Sequence, residues 1–126
     1  MNKNILLYLN DILESIALVE QYVSGVKEED FSRDKEKQDS VIRRLMIIGE
    51  AATRVPKEIR ALSPDTQWRA IIGFRNVVIH EYAGVSMGRV WEIVEQELPP
   101  LKSQLTTLLS AVSSMAEGKG KSASGT

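Results

Sequence analysis

Trp68-Arg69-Ala70-Ile71-Ile72-Gly73-Phe74-Arg75-Asn76-Val77-Val78-Ile79-His80-Glu81-Tyr82 holds the only histidine of the chain. Ile71, Ile72, Phe74, Val77, Val78 and Ile79 all need burial, so the stretch reads as neither a loop nor a solvated surface helix. On a wheel of about 100° per residue with Arg75 at zero, Arg69, Gly73, Asn76 and His80 fall near 120°, 160°, 100° and 140°. They form one narrow polar stripe on a helix expected to be buried on nearly every other side. Gly73 opens that seam to close approach, at a cost of about 1 kcal/mol relative to Ala within a helix. Arg75 lies about 140° from His80 on the same wheel. Its side chain either wraps round to the seam or serves a neighbouring site. A lone histidine on an apolar helix is more often a hydrogen-bonded core residue than a catalyst. Here an Arg, an Asn and a Tyr crowd into the same two turns, and burying them together is costly unless they satisfy one another or meet a ligand.

Working outward, this helix is expected to begin near Asp65, after the break at Ser63-Pro64, and to fray at Ala83-Gly84 with Tyr82 at its end. Upstream, Ile5, Leu9, Ile12, Ile16, Val19 and Val23 recur at helical spacing until Gly25, which predicts a long amphipathic helix. The acidic run Lys27-Glu28-Glu29-Asp30 reads as a solvated loop with Phe31 turned back onto the bundle. A second helix is predicted from about Asp34 to Thr53, with Val41, Leu45, Ile48, Ala52 and Val55 inward and Pro56 ending it. Gly49 in that helix suits the close approach of another helix. Glu50, set among apolar residues, needs a cationic partner, for which Arg75 and Arg44 are the candidates. Lys57 to Leu62 supplies a short helical stretch.

Downstream, Ser86 suits an N-cap for a helix with Met87, Val90, Trp91, Val94 and Leu98 on one face. Glu92, Glu95 and Glu97 point away and serve solubility. Pro99-Pro100 is expected to break the chain before a last helix carrying Leu101, Leu105, Leu108, Val112 and Met115. From Glu117 onward Gly, Lys and Ser dominate, so the domain is expected to span 1–116 with a disordered tail at 117–126. No strand or repeat stands out. The fold class is all-α, an up-and-down bundle of four long helices plus a short one.

Composition narrows the chemistry. The chain of 126 residues is long enough for one domain with a real core, and without cysteine it has no disulfide, thiol chemistry or thiolate-ligated metal. The apolar run Ile5–Leu9 stops at Asn10-Asp11, too short for a signal peptide, and nothing approaches the roughly 18 apolar residues of a membrane span. A soluble cytoplasmic protein, with no membrane association, is the expectation. A net charge of −1 argues against a generic nucleic-acid binder, yet residues 41–82 hold 7 basic and 4 acidic side chains, and six of the seven cations are Arg, which suits phosphate.

One histidine also argues against a metal site. A di-iron bundle needs Glu three residues before a His, where Val77 stands, and a zincin needs a second His where Gly84 stands. No second histidine is left to activate a serine. Metal-free acid–base chemistry remains, with His80 moving protons and an arginine stabilising developing negative charge, and no cofactor is expected. RNA fits this equipment because its own 2′-hydroxyl is the nucleophile. Two proton transfers and one histidine per chain point to two chains packed seam to seam.

Arg75-Asn76-Val77-Val78-Ile79-His80-Glu81-Tyr82 resembles the Arg-x4-His-x-Tyr signature of the HEPN superfamily, specifically the HepT-like toxins of HepT/MntA toxin–antitoxin pairs. Ile48-Gly49-Glu50, Trp68, Trp91 and Leu98-Pro99 resemble the same family, and the likeness covers residues 3 to 112. Family members commonly carry Asp where this chain has Ser86. The resemblance implies a HEPN-like homodimer and a type VII-like toxin that cuts RNA, tRNA or mRNA, at a composite interface site. It implies Arg75 and His80 as catalytic residues and Asn76 as the residue that orients phosphate or histidine; Arg69, on the same seam, is expected to contact phosphate or RNA, and Glu50, from its apolar surroundings, is taken as a structural polar partner. Tyr82 is implied as the acceptor of AMP from a cognate MntA-like minimal nucleotidyltransferase, which would inhibit the enzyme. Two other readings use the same residues. One is a non-catalytic helical module that binds a nucleotide or a nucleotidyltransferase partner. The other is a buried polar network of Arg75, His80 and Glu50 that fixes helix register.

Overall fold

A computed structural model gives the fold, describing the backbone of residues 3–80 and 86–125 and the side chains of residues 4–76 and 86–116. Among the described residues every regular element is helical, as the periodicities require. Helix α1 (Lys3–Val23) buries Ile5, Leu9, Ile12, Ile16 and Val19. It ends where Gly25 takes φ +73°, a conformation that costs glycine nothing. Lys37 Nζ then donates to the Tyr22 carbonyl at 2.9 Å, satisfying one of the acceptors left over at the helix end.

The single turn α2 (Glu28–Phe31) places Phe31 in the core, its ring 5.2 Å from that of Trp91 and tilted by 41°. Gln38, one of few buried polar side chains, donates through Nε2 to the Phe31 carbonyl at 2.8 Å, so the buried amide is satisfied. Helix α3 (Lys35–Thr53) is capped by Asp34, whose Oδ1 accepts from the Lys37 amide at 3.0 Å. Its core face carries Val41, Leu45, Ile48 and Ala52, as the spacing predicts.

Past Pro56, the short α4 (Lys57–Arg60) delivers Arg60 back to the end of α3. The guanidinium donates to the carbonyls of Val55 at 2.9 Å and Ala52 at 3.1 Å and lies 5.9 Å from the Trp68 ring centre. One cation thereby caps α3 and anchors the start of the next long helix. That helix, α5 (Trp68–His80), begins at Trp68 rather than near Asp65. A closed turn intervenes, in which Thr66 N donates to the Ser63 carbonyl at 3.1 Å and the two hydroxyls meet at 2.6 Å. Trp68 Nε1 donates to the Ser63 carbonyl at 3.3 Å and ties the turn to the helix.

The C-terminal half departs from expectation at the prolines. Helix α6 (Met87–Glu92), capped by Ser86 Oγ accepting from the Arg89 amide at 3.2 Å, passes into a π-helical turn (Ile93–Glu97) and then directly into α7 (Leu98–Gly125). The chain does not break at Pro99-Pro100. A proline ring clashes with the carbonyl four residues earlier in a regular helix. The wide turn, in which Leu98 N reaches the Ile93 carbonyl, makes room by displacing those carbonyls. Glu92 and Glu97 are not free solubilising charges either: Arg89 Nη1 bridges both, at 2.6 Å from Glu92 and closer to Glu97. On α7, Leu101, Leu105, Leu108 and Val112 are buried, whereas Met115, expected on the same face, is exposed.

Helix α3 packs against both α1 and the motif helix α5, and α7 packs against α1. Among the described residues no helix is long and apolar enough to cross a membrane. The segment 117–126, expected to lie beyond the domain, falls outside the described side chains.

Candidate functional site

Gly49 sets the geometry. A Cβ at this position would stand 3.1 Å from both Cβ and N of Arg75 and 3.3 Å from the Ile71 carbonyl, so only a residue without one lets α5 lie this close to α3. The anticipated close approach of two helices is therefore made here, between α3 and α5. Ile71 and Phe74 seal the contact from the core side. Held by its backbone against α3, Arg75 extends toward the next residue on that helix. Its Nε stands 2.6 Å from Glu50 Oε1.

Of the two candidate partners for Glu50, Arg75 is thus the one that meets it. Arg44 instead leaves its Nε buried with no hydrogen-bond partner among the described residues. The Glu50 and Arg75 side chains are 45% and 44% exposed, so this pair is not the buried register-fixing network. An exposed pair contributes little to stability, about 0–1 kcal/mol, because water screens it. What it does is aim the guanidinium.

The rest of the polar stripe faces outward. Arg69 and Asn76 are exposed, Ile72 and Gly73 are half-buried, and a Cβ on Gly73 would meet nothing within 4 Å. Among the described residues, then, the part of α5 up to Asn76 is not buried on nearly every side, and no close approach is made at Gly73. His80 is the last residue of α5, and its side chain lies outside the described residues, as does Tyr82 altogether. From Arg75 the helix carries its backbone to His80 with an advance of about 7.5 Å and a turn of about 140°.

Sequence reasoning missed the ground beside Arg75. A groove of about 320 Å³ runs between α1 and α3, walled by Tyr8 and Asp11 on one side and by Arg43, Ile47, Glu50 and Arg54 on the other. Arg43 and Arg54 were visible only as part of the basic segment; Tyr8 belongs to a distant helix, and no periodicity links it to them. Arg43, Arg54 and Arg69 are exposed and make no side-chain ion pair among the described residues. Arg89 differs: its hydrogen bond to Glu97 raises the guanidinium above its ordinary value, with Glu92 adding to the effect, so that this cation is committed within its own helix.

Three curated relatives align with most of the chain. A Methanocaldococcus jannaschii protein, named as both a gamma-glutamylcyclotransferase and a candidate RNase, is 40% identical over 86% of this chain, which spans 49% of its length. A Thermococcus cleftensis protein named as a probable ribonuclease HepT is 40% identical over 80% of this chain and 92% of its own. A Caldanaerobacter subterraneus protein named as a candidate RNase is 37% identical over 81% of this chain and 91% of its own. No solved structure gives a significant match. The family model described as Ribonuclease HepT-like matches residues 12–108, a span that runs from α1 through the Arg75–Tyr82 motif into α7. The chain belongs to the HepT-like ribonuclease family of the HEPN superfamily.

Proposed function

We propose that this chain is a metal-independent endoribonuclease, the toxin of a type VII-like toxin–antitoxin pair, acting as a homodimer with a composite site. The observation that carries the reading is the placement of Arg75. Its guanidinium stands nearly half exposed at the rim of the α3–α5 contact, aimed by Glu50 at 2.6 Å, on the helix that His80 ends. Family membership supports ribonuclease activity as such.

His80 of one copy takes the proton from the RNA 2′-hydroxyl, whose oxygen attacks the adjacent phosphorus. The bond from phosphorus to the 5′-oxygen breaks, and the second copy's His80 protonates the leaving oxygen. Arg75 stabilises the charge that gathers on the phosphoryl oxygens, with Asn76 and Arg69 orienting the phosphate. The products are a 2′,3′-cyclic phosphate and a 5′-hydroxyl. The open Gly73 seam is where the second copy approaches.

Control falls to Tyr82. An MntA-like nucleotidyltransferase transfers AMP from ATP to its hydroxyl and releases pyrophosphate. The adenylyl group adds negative charge and bulk two residues from His80 and competes for Arg75.

The test is cleavage of tRNA and mRNA by the purified protein in EDTA, with product ends identified, alongside His80→Ala. Loss of cleavage in a variant that keeps its melting temperature and its dimer supports the reading. A wild-type protein that cuts no RNA, or a variant that cuts as well as wild type, overturns it.

A further inference from the structure

We infer that the groove between α1 and α3 is the subsite for the nucleotide next to the scissile phosphate, holding its unpaired base against Tyr8 and its flanking phosphates at Arg43 and Arg54. This rests on the ribonuclease reading above and adds where the strand lies. The groove and the catalytic pair are continuous, because Glu50 both lines the groove and touches Arg75. A strand whose phosphate sits at Arg75 therefore has the groove as its neighbouring ground.

The chemistry of the walls suits one nucleotide. Tyr8, half-buried, lines the groove with an aromatic side chain, and Met46 and Ile47, also half-buried, add apolar lining. Unpaired bases stack on such surfaces whatever their sequence. The cations are free: neither the Arg43 nor the Arg54 side chain has an ion pair among the described residues, whereas Glu50 is neutralised by Arg75. Of the charges left unpaired in the groove, two are positive and one, Asp11, is negative. Arg54 lies one helical turn from Glu50, about 6 Å along α3, which puts it within reach of the phosphate beside the one at Arg75. The volume of about 320 Å³ is that of a small-molecule site. By contrast, the slot between α5 and α7, lined by Phe74 and Leu101, has no cation among its described lining residues.

The measurement is fluorescence anisotropy of a labelled single-stranded RNA decamer on the full chain carrying His80→Ala, so that nothing is cut. In this background Tyr8→Leu is expected to raise Kd about tenfold. Tyr8→Phe, which keeps the ring, should stay within about twofold of the parent. Arg43→Gln and Arg54→Gln should each weaken binding and reduce the slope of log affinity against log salt by about 0.7, the value for one phosphate contact on a single strand. The same substitutions with His80 intact should raise KM more than they lower kcat. Should Tyr8→Leu fail to fold, the two surface arginines still decide the question. If the His80→Ala parent binds RNA and Tyr8→Leu, Arg43→Gln and Arg54→Gln bind like it, and with His80 intact cut like wild type, the groove is not the subsite, and the ribonuclease reading stands without it. If wild-type protein neither binds nor cuts RNA, both fall together.

Discussion

Arg75 engages Glu50 through Nε, and its guanidinium makes no other ion pair or hydrogen bond among the described residues. The remaining N–H donors of the planar fork stay available for a phosphate, which Lys could not match with its single ammonium. Because the pair is nearly half exposed, Glu50→Gln should change stability by under about 1 kcal/mol. On the proposed mechanism, in which Arg75 stabilises the transition state, cleavage should nevertheless fall by about tenfold or more, mainly in kcat, because misaiming such a group costs far more than its own contact energy. Steady-state kinetics and a thermal melt on the same preparation check this. An unchanged kcat with a melting temperature lower by several degrees would assign Glu50 to the scaffold alone. That Glu50 needs a cation was legible from the apolar residues around it. Which of two arginines would meet it was not, since the choice follows from how α5 lies on α3.

At the scale of the helices, the two glycines of the α3–α5 layer behave oppositely. Gly49→Ala forces a Cβ to 3.1 Å from backbone and Cβ of Arg75, atoms that cannot move aside singly. Overpacking of this kind costs about 1–3 kcal/mol, while replacing a helical glycine returns about 1 kcal/mol. The net expectation is a loss of about 1 kcal/mol, read as a lower melting temperature, together with reduced cleavage because Arg75 shifts. Gly73→Ala meets no atom within 4 Å and should stabilise the single chain by up to about 1 kcal/mol. If the second copy packs on this seam, the same change weakens the dimer, which sedimentation at several concentrations would reveal. Phe31→Ala, emptying a fully buried site against Trp91, should cost about 3–5 kcal/mol. The periodicity that places these helices is a local property of the chain. The π turn ahead of Pro99 is not, because regular periodicity has no term for one extra residue in a turn.

For the whole molecule, the open side of α5 and the single histidine set the expectations. If each catalytic centre uses one neutral and one protonated His80, kcat/KM should fall on both sides of a maximum as pH is varied. A rate that merely levels off with rising pH would mean a single titrating base. The Arg89–Glu97–Glu92 cluster should leave no mark on this profile. A cation raised by its partners contributes stability below its ordinary value and loses it only as pH rises through the folded value, far above neutrality. Coexpression with a nucleotidyltransferase should add one or more AMP units to the peptide containing Tyr82, seen by intact mass and tandem mass spectrometry. Modified protein should no longer cut RNA.

The all-helical fold, the bundle class, the inward faces of α1 and α3, the Ser86 cap and the Arg75–His80–Tyr82 motif could all be read from the chain alone. Each rests on interactions within a few residues along the sequence, and helical spacing records these directly. Tertiary structure decided that Arg75 meets Glu50 through the gap left by Gly49, that Arg60 joins the end of α3 to Trp68, and that Tyr8 faces Arg43 and Arg54 across a groove. These depend on the angle and depth at which separate helices pack. Side-chain volumes across the whole core set that packing, so no local pattern contains it.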